Sequence, residues 1–185
     1  MATAVDNESR RFAERQITSD AYNHLLTNFG IWSPDGRWIY YDVRSAQDGS
    51  IFDGQRIERV HVDTEEVELV FESGQGASCG VVTASPVDDR IVFIHGPENP
   101  TADWSYSAWH RRGVLVGVGG ERVAQNLDAR DLMSPYTPGA LRGGSHVHVF
   151  SGDGQWISFT YEDHVLAARE KAGGQQNQRK VGVDV

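Results

Sequence analysis

Trp32-Ser33-Pro34-Asp35-Gly36-Arg37-Trp38-Ile39-Tyr40-Tyr41 decides the fold, because the chain repeats it. The phrase returns as Ala84-Ser85-Pro86-Val87-Asp88-Asp89-Arg90-Ile91-Val92-Phe93. It returns again as Phe150-Ser151-Gly152-Asp153-Gly154-Gln155-Trp156-Ile157-Ser158-Phe159. Each copy is a turn followed by an apolar run. Asp-Gly is a strong tight-turn signal, since glycine takes positive φ at no steric cost. The Ile, Val, Tyr, Phe and Trp that follow suit a pleated, half-buried surface. Self-similarity at this spacing marks a repeat architecture. The phrase points to a fold class and names no reaction.

Working outward, the remaining signals are nearly all β. Strands are predicted at Ile31-Trp32, Trp38 to Val43, Ile57 to Val62, Val67 to Phe71, Gly80 to Ala84, Ile91 to Ile94, Gly113 to Val118, His146 to Phe150, Trp156 to Tyr161 and Val165 to Ala167. Gly, Asp, Asn or Pro clusters separate them. Lys180 to Val185 reads as one more. No window holds a 3.6-residue apolar period over three turns. The best helical stretch is His164 to Ala172, ended by Gly173-Gly174. After the first phrase, Arg56 to Val70 reads as a hairpin turning at Asp63-Thr64. After the second, Gly113 to Val123 reads as the same hairpin, turning at Gly119-Gly120. A phrase plus its hairpin makes about one four-stranded blade, and propeller blades occupy roughly 40–50 residues each.

The expected fold class is therefore all-β: a β-propeller of four-stranded antiparallel blades. The phrase serines stand at 33, 85 and 151, so the second interval is the longer. An insertion is expected at 96–107 or 128–144, both rich in Pro, Gly or Asn. The expected organisation is a polar lead-in over residues 1–15 and a partial propeller over 16–185. Its blades run roughly over 16–72, 73–128 and 145–185, with a loop insertion over about 128–144. Closed propellers need at least about four blades. The chain supplies three and the start of another, so an incomplete, N-terminal half of a propeller is expected. Open blade edges would favour self-association or a protein partner.

Composition excludes several classes. With 17 basic and 26 acidic residues, the net charge is −9, which argues against nucleic acid and anionic membranes as partners. No apolar run approaches the ~20 residues that span a bilayer, and the N-terminus has no apolar segment of the secretory type. Cys79 is the one cysteine, so an intrachain disulfide framework is excluded. A soluble, cytoplasmic protein is expected. Cys79 reads as a small core residue opening the Gly80-Val81-Val82 strand. There is no P-loop, dinucleotide-binding fingerprint or nucleophile elbow.

The phrase and the Val62-Asp63-Thr64-Glu65-Glu66-Val67 hairpin resemble the WD-like repeat of Tol-type β-propellers. More specific are His95-Gly96-Pro97-Glu98-Asn99-Pro100, His110-Arg111-Arg112-Gly113, and the stretch from Ser134-Pro135-Tyr136 to His146-Val147-His148-Val149-Phe150. These look like the YidR-type family of bacterial propeller proteins, over about residues 16 to 170. A wider relative is the oligogalacturonate lyase family, also propellers. Its members hold a divalent metal, manganese or similar, partly through a His-x-His pair beside the channel, and act on short pectin fragments. His146-Val147-His148 is similar to that pair. The lyases carry Gln three residues ahead of the first histidine, where this chain has Gly143. The resemblance implies a small carbohydrate or sugar acid as ligand and β-elimination as chemistry. Tol-type propellers equally imply a non-catalytic protein-binding scaffold, and a truncated propeller implies no activity at all.

The residues themselves leave alternatives. His146 and His148 lie two apart in a predicted strand, which would put both imidazoles on one face. They could hold a metal if more ligands converged, or hydrogen-bond across a polar wall beside Phe150. His95, at a strand end beside Glu98 and Asn99, could be a weaker ligand or a base, or could cap its loop. Arg112 and Arg142 have the planar fork that suits a carboxylate, with His110 and Tyr136 nearby; solubility or blade-to-blade salt bridges explain such arginines equally. Trp104, Tyr106, Trp109 and Tyr136 could stack on sugars or cover a blade edge. Trp32, Trp38 and Trp156 are expected in the core.

Overall fold

The computed structural model describes residues 14–184, and within them the chain forms three antiparallel sheets in sequence order. The first contains β1 (Asn23–Leu25), β2 (Trp38–Arg44), β3 (Arg56–His61) and β4 (Val67–Glu72). The second contains β5 (Cys79–Ala84), β6 (Arg90–His95), β7 (Arg112–Gly117) and β8 (Ala124–Asn126). The third contains β9 (Gly143–Phe150), β10 (Ile157–Asp163) and β11 (Lys180–Asp184), with helix α1 (His164–Lys171) between the last two strands. Strands pair in chain order within each sheet. β5 packs on β2 and β3, and β9 packs on β5, β6 and β7. The sheets therefore stack face to face as consecutive propeller blades. No helix among the described residues is long and apolar enough to cross a membrane.

The core lies between the blades. Tyr40, Ile57, Val70, Val82, Ile91, Phe93, Val114 and Val116 fill the first interface, with Cys79 among them. Val92, Phe150 and Ile157 fill the second, with Leu115 and Leu127 against them. Each fully buried Val, Ile or Phe contributes about 1.5–3 kcal/mol.

The repeated phrase makes the β1–β2-type turn through its own side chains. In the first copy, the Ser33 hydroxyl donates to Asp35 at 2.6 Å and accepts from the Trp38 N–H at 3.0 Å. Asp35 also accepts from the Arg37 N–H at 3.1 Å. The third copy repeats this set through Ser151, Asp153, Trp156 and Gln155 at 2.5, 3.0 and 3.1 Å. Gly36 and Gly154 both take φ of 69°. The second copy has Val87 and Asp88 at the Asp and Gly places. There Ser85 instead accepts from the N–H groups of Val87 and Asp88.

Four expectations are corrected. Trp32 and Trp156 are 48% and 43% exposed, not core. They flank the turn at the sheet's end, and with period-2 alternation it is Ile157, 5% exposed, that turns inward. Trp38 is half-buried, under the Arg59 guanidinium at 4.1 Å and against His61 at 4.9 Å. Ile31-Trp32 forms only an isolated bridge to Ile39, while β1, which pairs with the far half of β2, lies upstream. Val165 to Ala167 is helical, because the Asp163 carboxylate caps α1 by accepting from the Leu166 N–H at 2.9 Å.

β5 and β9 share a bulge at the same place, four residues before the phrase serine. Val81 has φ of 59° and Val147 of 56°. A β-branched residue at positive φ is a true outlier, and here it recurs with the repeat. It occurs where β5 and β9 slip register against β6 and β10.

Candidate functional site

The loops that could carry chemistry gather at one end of the blades. Cys79, first in β5, pairs with His95, last in β6, and His95 pairs with Arg112, first in β7. The β4–β5, β6–β7 and β8–β9 connections therefore open on the same end, opposite the Ser-Pro-Asp-Gly turns. The last two, residues 96–111 and 127–142, largely cover the two stretches in one of which an insertion is expected, 96–107 and 128–144.

The sequence-predicted site residues fall into three groups. His95 and Arg112 come together around Glu98, and His110 lines a pocket with Arg112 and Glu98. Arg112 grips Glu98 at 2.6 and 3.4 Å. Burial raises the Glu98 carboxyl, and the bond to the Arg112 guanidinium outweighs it, leaving Glu98 below its ordinary value. The pair is the wall shared by two pockets. One, about 330 Å³, is lined by Trp104, His110, Arg112, Glu98, Arg130 and Asp131 among others. The other, about 600 Å³, is lined by Phe71, Gln75, His95, Glu98, Asn99 and Arg112 among others. His95 is buried and its Nδ1 lies 2.7 Å from the Gly96 carbonyl, to which it donates, so it caps its own loop. Burial holds it below the usual histidine range. His110 donates from Nδ1 to the Ser105 carbonyl at 2.8 Å, which leaves Nε2 a bare lone pair with no hydrogen-bond partner among the described residues. Its ring stacks on Trp104 at 3.8 Å and lies 5.2 Å from that of His164, the first residue of α1. Burial first, and then the charges of His164, Arg130 and Lys171, hold His110 below its ordinary value.

Arg142 and Tyr136 form a second group. Arg142 grips Asp163 through Nε at 3.0 Å and Nη2 at 2.7 Å, and lies 5.5 Å from the Tyr136 ring centre. Its backbone N–H donates to the Tyr161 hydroxyl at 2.8 Å. Asp163 is the cap of α1, so Arg142 fastens that helix to the β8–β9 connection rather than standing open to a ligand.

His146 and His148 form the third group, and the single-face expectation is corrected. Both Val147 and His148 lie opposite Phe159, between the His146–Thr160 and Val149–Ser158 pairs. That extra residue reverses the alternation. The His148 ring therefore lies on the Ser145 face, with Nε2 2.9 Å from the Ser145 hydroxyl and the ring near Phe159. His146 lies on the other face, with Thr160, its directly opposite partner. His148 is fully buried in the interface with the second blade. Asp128 accepts from the Ser145 hydroxyl at 2.7 Å, and the Gly113 N–H reaches both Ser145 and Asp128 at 3.1 and 3.2 Å. With Asp128 ionised, the serine proton goes to it and His148 donates its Nε2–H to Ser145. Burial pushes His148 down to about 3 and His146 to about 4, while raising Asp128. The network fastens the third blade to the second. Among the described residues no three His, Cys, Asp or Glu side chains converge as metal ligands.

The residue that sequence reasoning missed is Arg130. It follows β8 in a stretch with no motif, Asp128-Ala129-Arg130-Asp131. A bridge to Leu141 closes this connection. The guanidinium donates to the carbonyls of Arg111 and His110 at 3.2 and 3.3 Å. No carboxylate lies within ion-pair distance among the described residues. Burial pulls Arg130 below its ordinary value. The Pro- and Gly-rich composition of 128–144, which marks an expected insertion, is the signal in the sequence that points to this connection.

A family model described as "Protein of unknown function (DUF3748)" matches residues 78–185, more than half of the chain. The chain is 52% identical over 171 residues to "Uncharacterized protein YidR" of Escherichia coli (strain K12). The match covers 92% of this chain and 39% of that protein. Among solved structures, TolB from Acinetobacter baumannii aligns with a TM-score of 0.52 at 13% identity, over 91% of this chain and 33% of TolB. At that identity the likeness concerns the fold alone. The chain spans about two-fifths of the curated relative and a third of the solved propeller.

Proposed function

Because this chain belongs to the DUF3748 family and stacks its sheets as Tol-type propeller blades, we propose that it binds a small sugar acid at the loop end of its second blade, with Arg130 as the anchor. One observation carries the reading. Half-buried Arg130 brings its guanidinium to a pocket of about 330 Å³, hydrogen-bonded only to two carbonyls and with no carboxylate within ion-pair distance among the described residues. Buried charges are ordinarily paired, and a ligand carboxylate supplies the missing charge. The size lies within the range of small-molecule sites, about 300–1,000 Å³.

The other walls suit the rest of such a ligand. Trp104 offers an indole ring, backed by the stacked His110. Arg112 and Glu98 neutralise each other and present hydrogen-bonding groups to hydroxyls. The reading is one of binding. His146 and His148, which the lyase resemblance would make metal ligands, lie on opposite faces of β9, and the proposal does not run through them.

Calorimetric titration with galacturonate and glucuronate, beside neutral galactose, tests the reading. Both acids are expected to bind and galactose is not. Arg130→Gln should weaken the acids at least tenfold, the scale of a lost charged hydrogen-bond pair. Equal binding of galactose, or acid binding that survives Arg130→Gln unchanged, would overturn it.

A further inference from the structure

Arg111 is only 8% exposed, as is Arg44. Arg44 is met by Asp42 at 2.7 Å. Arg111 has no carboxylate within ion-pair distance among the described residues. Its Nη1 donates to the Tyr106 hydroxyl at 3.3 Å, and its Nε is buried with no partner. The Nε–Nη2 edge is the one with which Arg59 grips Glu68, at 3.0 and 2.7 Å, and Arg142 grips Asp163, at the same distances. In Arg111 that edge has no hydrogen-bond partner among the described residues.

The fold puts Arg111 and Tyr106 beside the first strands of two blades. The β6–β7 connection crosses the start of β9, where the Ser145 N–H donates to the Arg111 carbonyl at 3.2 Å. Glycine at 144 permits the crossing, since a Cβ there would stand 2.3 Å from the Ala108 carbonyl oxygen. Tyr106 stacks on Phe52 at 4.2 Å, and Phe52 covers Gly80 of β5. His146, on the β9 face away from the blade interface, has a buried Nδ1 with no partner among the described residues. After burial, the charges acting on it are those of Arg111 and then Arg179. The Glu162 carboxylate nearby is already held by Arg179 at 2.5 and 2.8 Å.

We infer that Arg111, Tyr106 and His146 form an oxyanion site, for a carboxylate or a phosphate, separate from the Arg130 pocket. The Nε–Nη2 edge takes two oxygens in the bidentate geometry that guanidinium and oxyanion share. The Tyr106 hydroxyl fixes the fork, and His146 donates from its ring to the anion.

The test follows the His146 ring signals by NMR while inorganic phosphate, and separately acetate, is titrated into the protein. Either anion at millimolar concentration is expected to raise the His146 midpoint by about one pH unit or more, as an opposite charge at contact does. The stronger of the two identifies the source of the oxyanion. Arg111→Gln should abolish the shift. Arg111→Lys, which keeps the charge and loses the fork, should weaken it at least tenfold. Arg37→Gln, on the exposed first turn, should leave it unchanged. No shift with either anion, a shift reproduced by sodium chloride at equal ionic strength, or one that persists in Arg111→Gln would overturn the inference. The chloride comparison needs no variant, so it decides even if Arg111→Gln fails to fold. A readout at His146 also separates failure here from failure at Arg130.

Discussion

Nε2 of His148 lies 2.9 Å from the Ser145 hydroxyl, three residues back along one strand. In a regular strand those two side chains would stand on opposite faces. The bulge at Val147 brings them together and closes the chain from Asp128 through Ser145 to His148 across the blade interface.

That chain predicts acid sensitivity. Burial sets His148 near 3 and His146 near 4 in the folded state, against about 6.5 when unfolded. Above pH 6.5 both states are neutral and nothing is lost. Below it the unfolded chain takes protons that the folded one refuses, so stability falls as pH falls. Each imidazole removes about 1.4 kcal/mol per pH unit until its folded value is reached. The second blade has Val82 where the third has His148, so His148→Val is the substitution the repeat itself suggests. It should cost about 1–2 kcal/mol at pH 7.5 and remove the His148 share of the loss between pH 6.5 and 4, leaving the shares of His146, His95 and His110. Denaturant melts at four pH values give the slopes; equal slopes in the two proteins would refute the assignment.

Gly113 admits the His148 ring. A Cβ at 113 would meet Nε2 at 2.6 Å and Leu127 Cδ2 at 2.9 Å. Gly113→Ala should destabilise by about 1–3 kcal/mol, the usual cost of overpacking a tight interface. A double variant with His148→Val should recover most of it. Thermal melting of the four proteins in the cycle measures the coupling.

Val147→Gly should behave against the usual trend. Glycine in a strand normally weakens it, but Val147 holds φ of 56° and is 37% exposed. Removing the Cβ relieves a cost of about 1–3 kcal/mol and forfeits little burial. The expected result is unchanged or higher stability, by up to about 1 kcal/mol. A loss above that size in chemical denaturation would show that the positive φ is not maintained.

Cys79 should be inert. It is fully buried and burial pushes its thiol up to about 12. A thiol reagent such as dithionitrobenzoate should label none of the native protein within minutes and one thiol per chain in denaturant. Rapid native labelling would mean the first blade interface opens.

Trp104→Ala should weaken uronate binding several-fold and leave the His148 share of the acid dependence in place, because Trp104 lines the Arg130 pocket and lies outside the Asp128–Ser145–His148 network. Calorimetry and denaturant melts on the same variant separate the two.

What was legible in the sequence was what is local. Ser33, Asp35, Gly36 and the Trp38 N–H close their turn within six residues, so the phrase specified a turn, its count specified blades, and Cys79 read correctly as core. The facing of His146 and His148 was not legible, because one extra residue opposite Phe159 reverses a period-2 pattern and leaves no mark in composition. Nor was the exposure of Trp32 and Trp156, which depends on where the neighbouring blade ends. The sequence by itself determined the repeating blade, through side chains bonding their own backbone. Only the tertiary structure decided that Arg142 is spent on Asp163, Arg112 on Glu98, and that Arg130 and Arg111 have no carboxylate within ion-pair distance among the described residues, because a guanidinium's partner is chosen by loops distant in sequence.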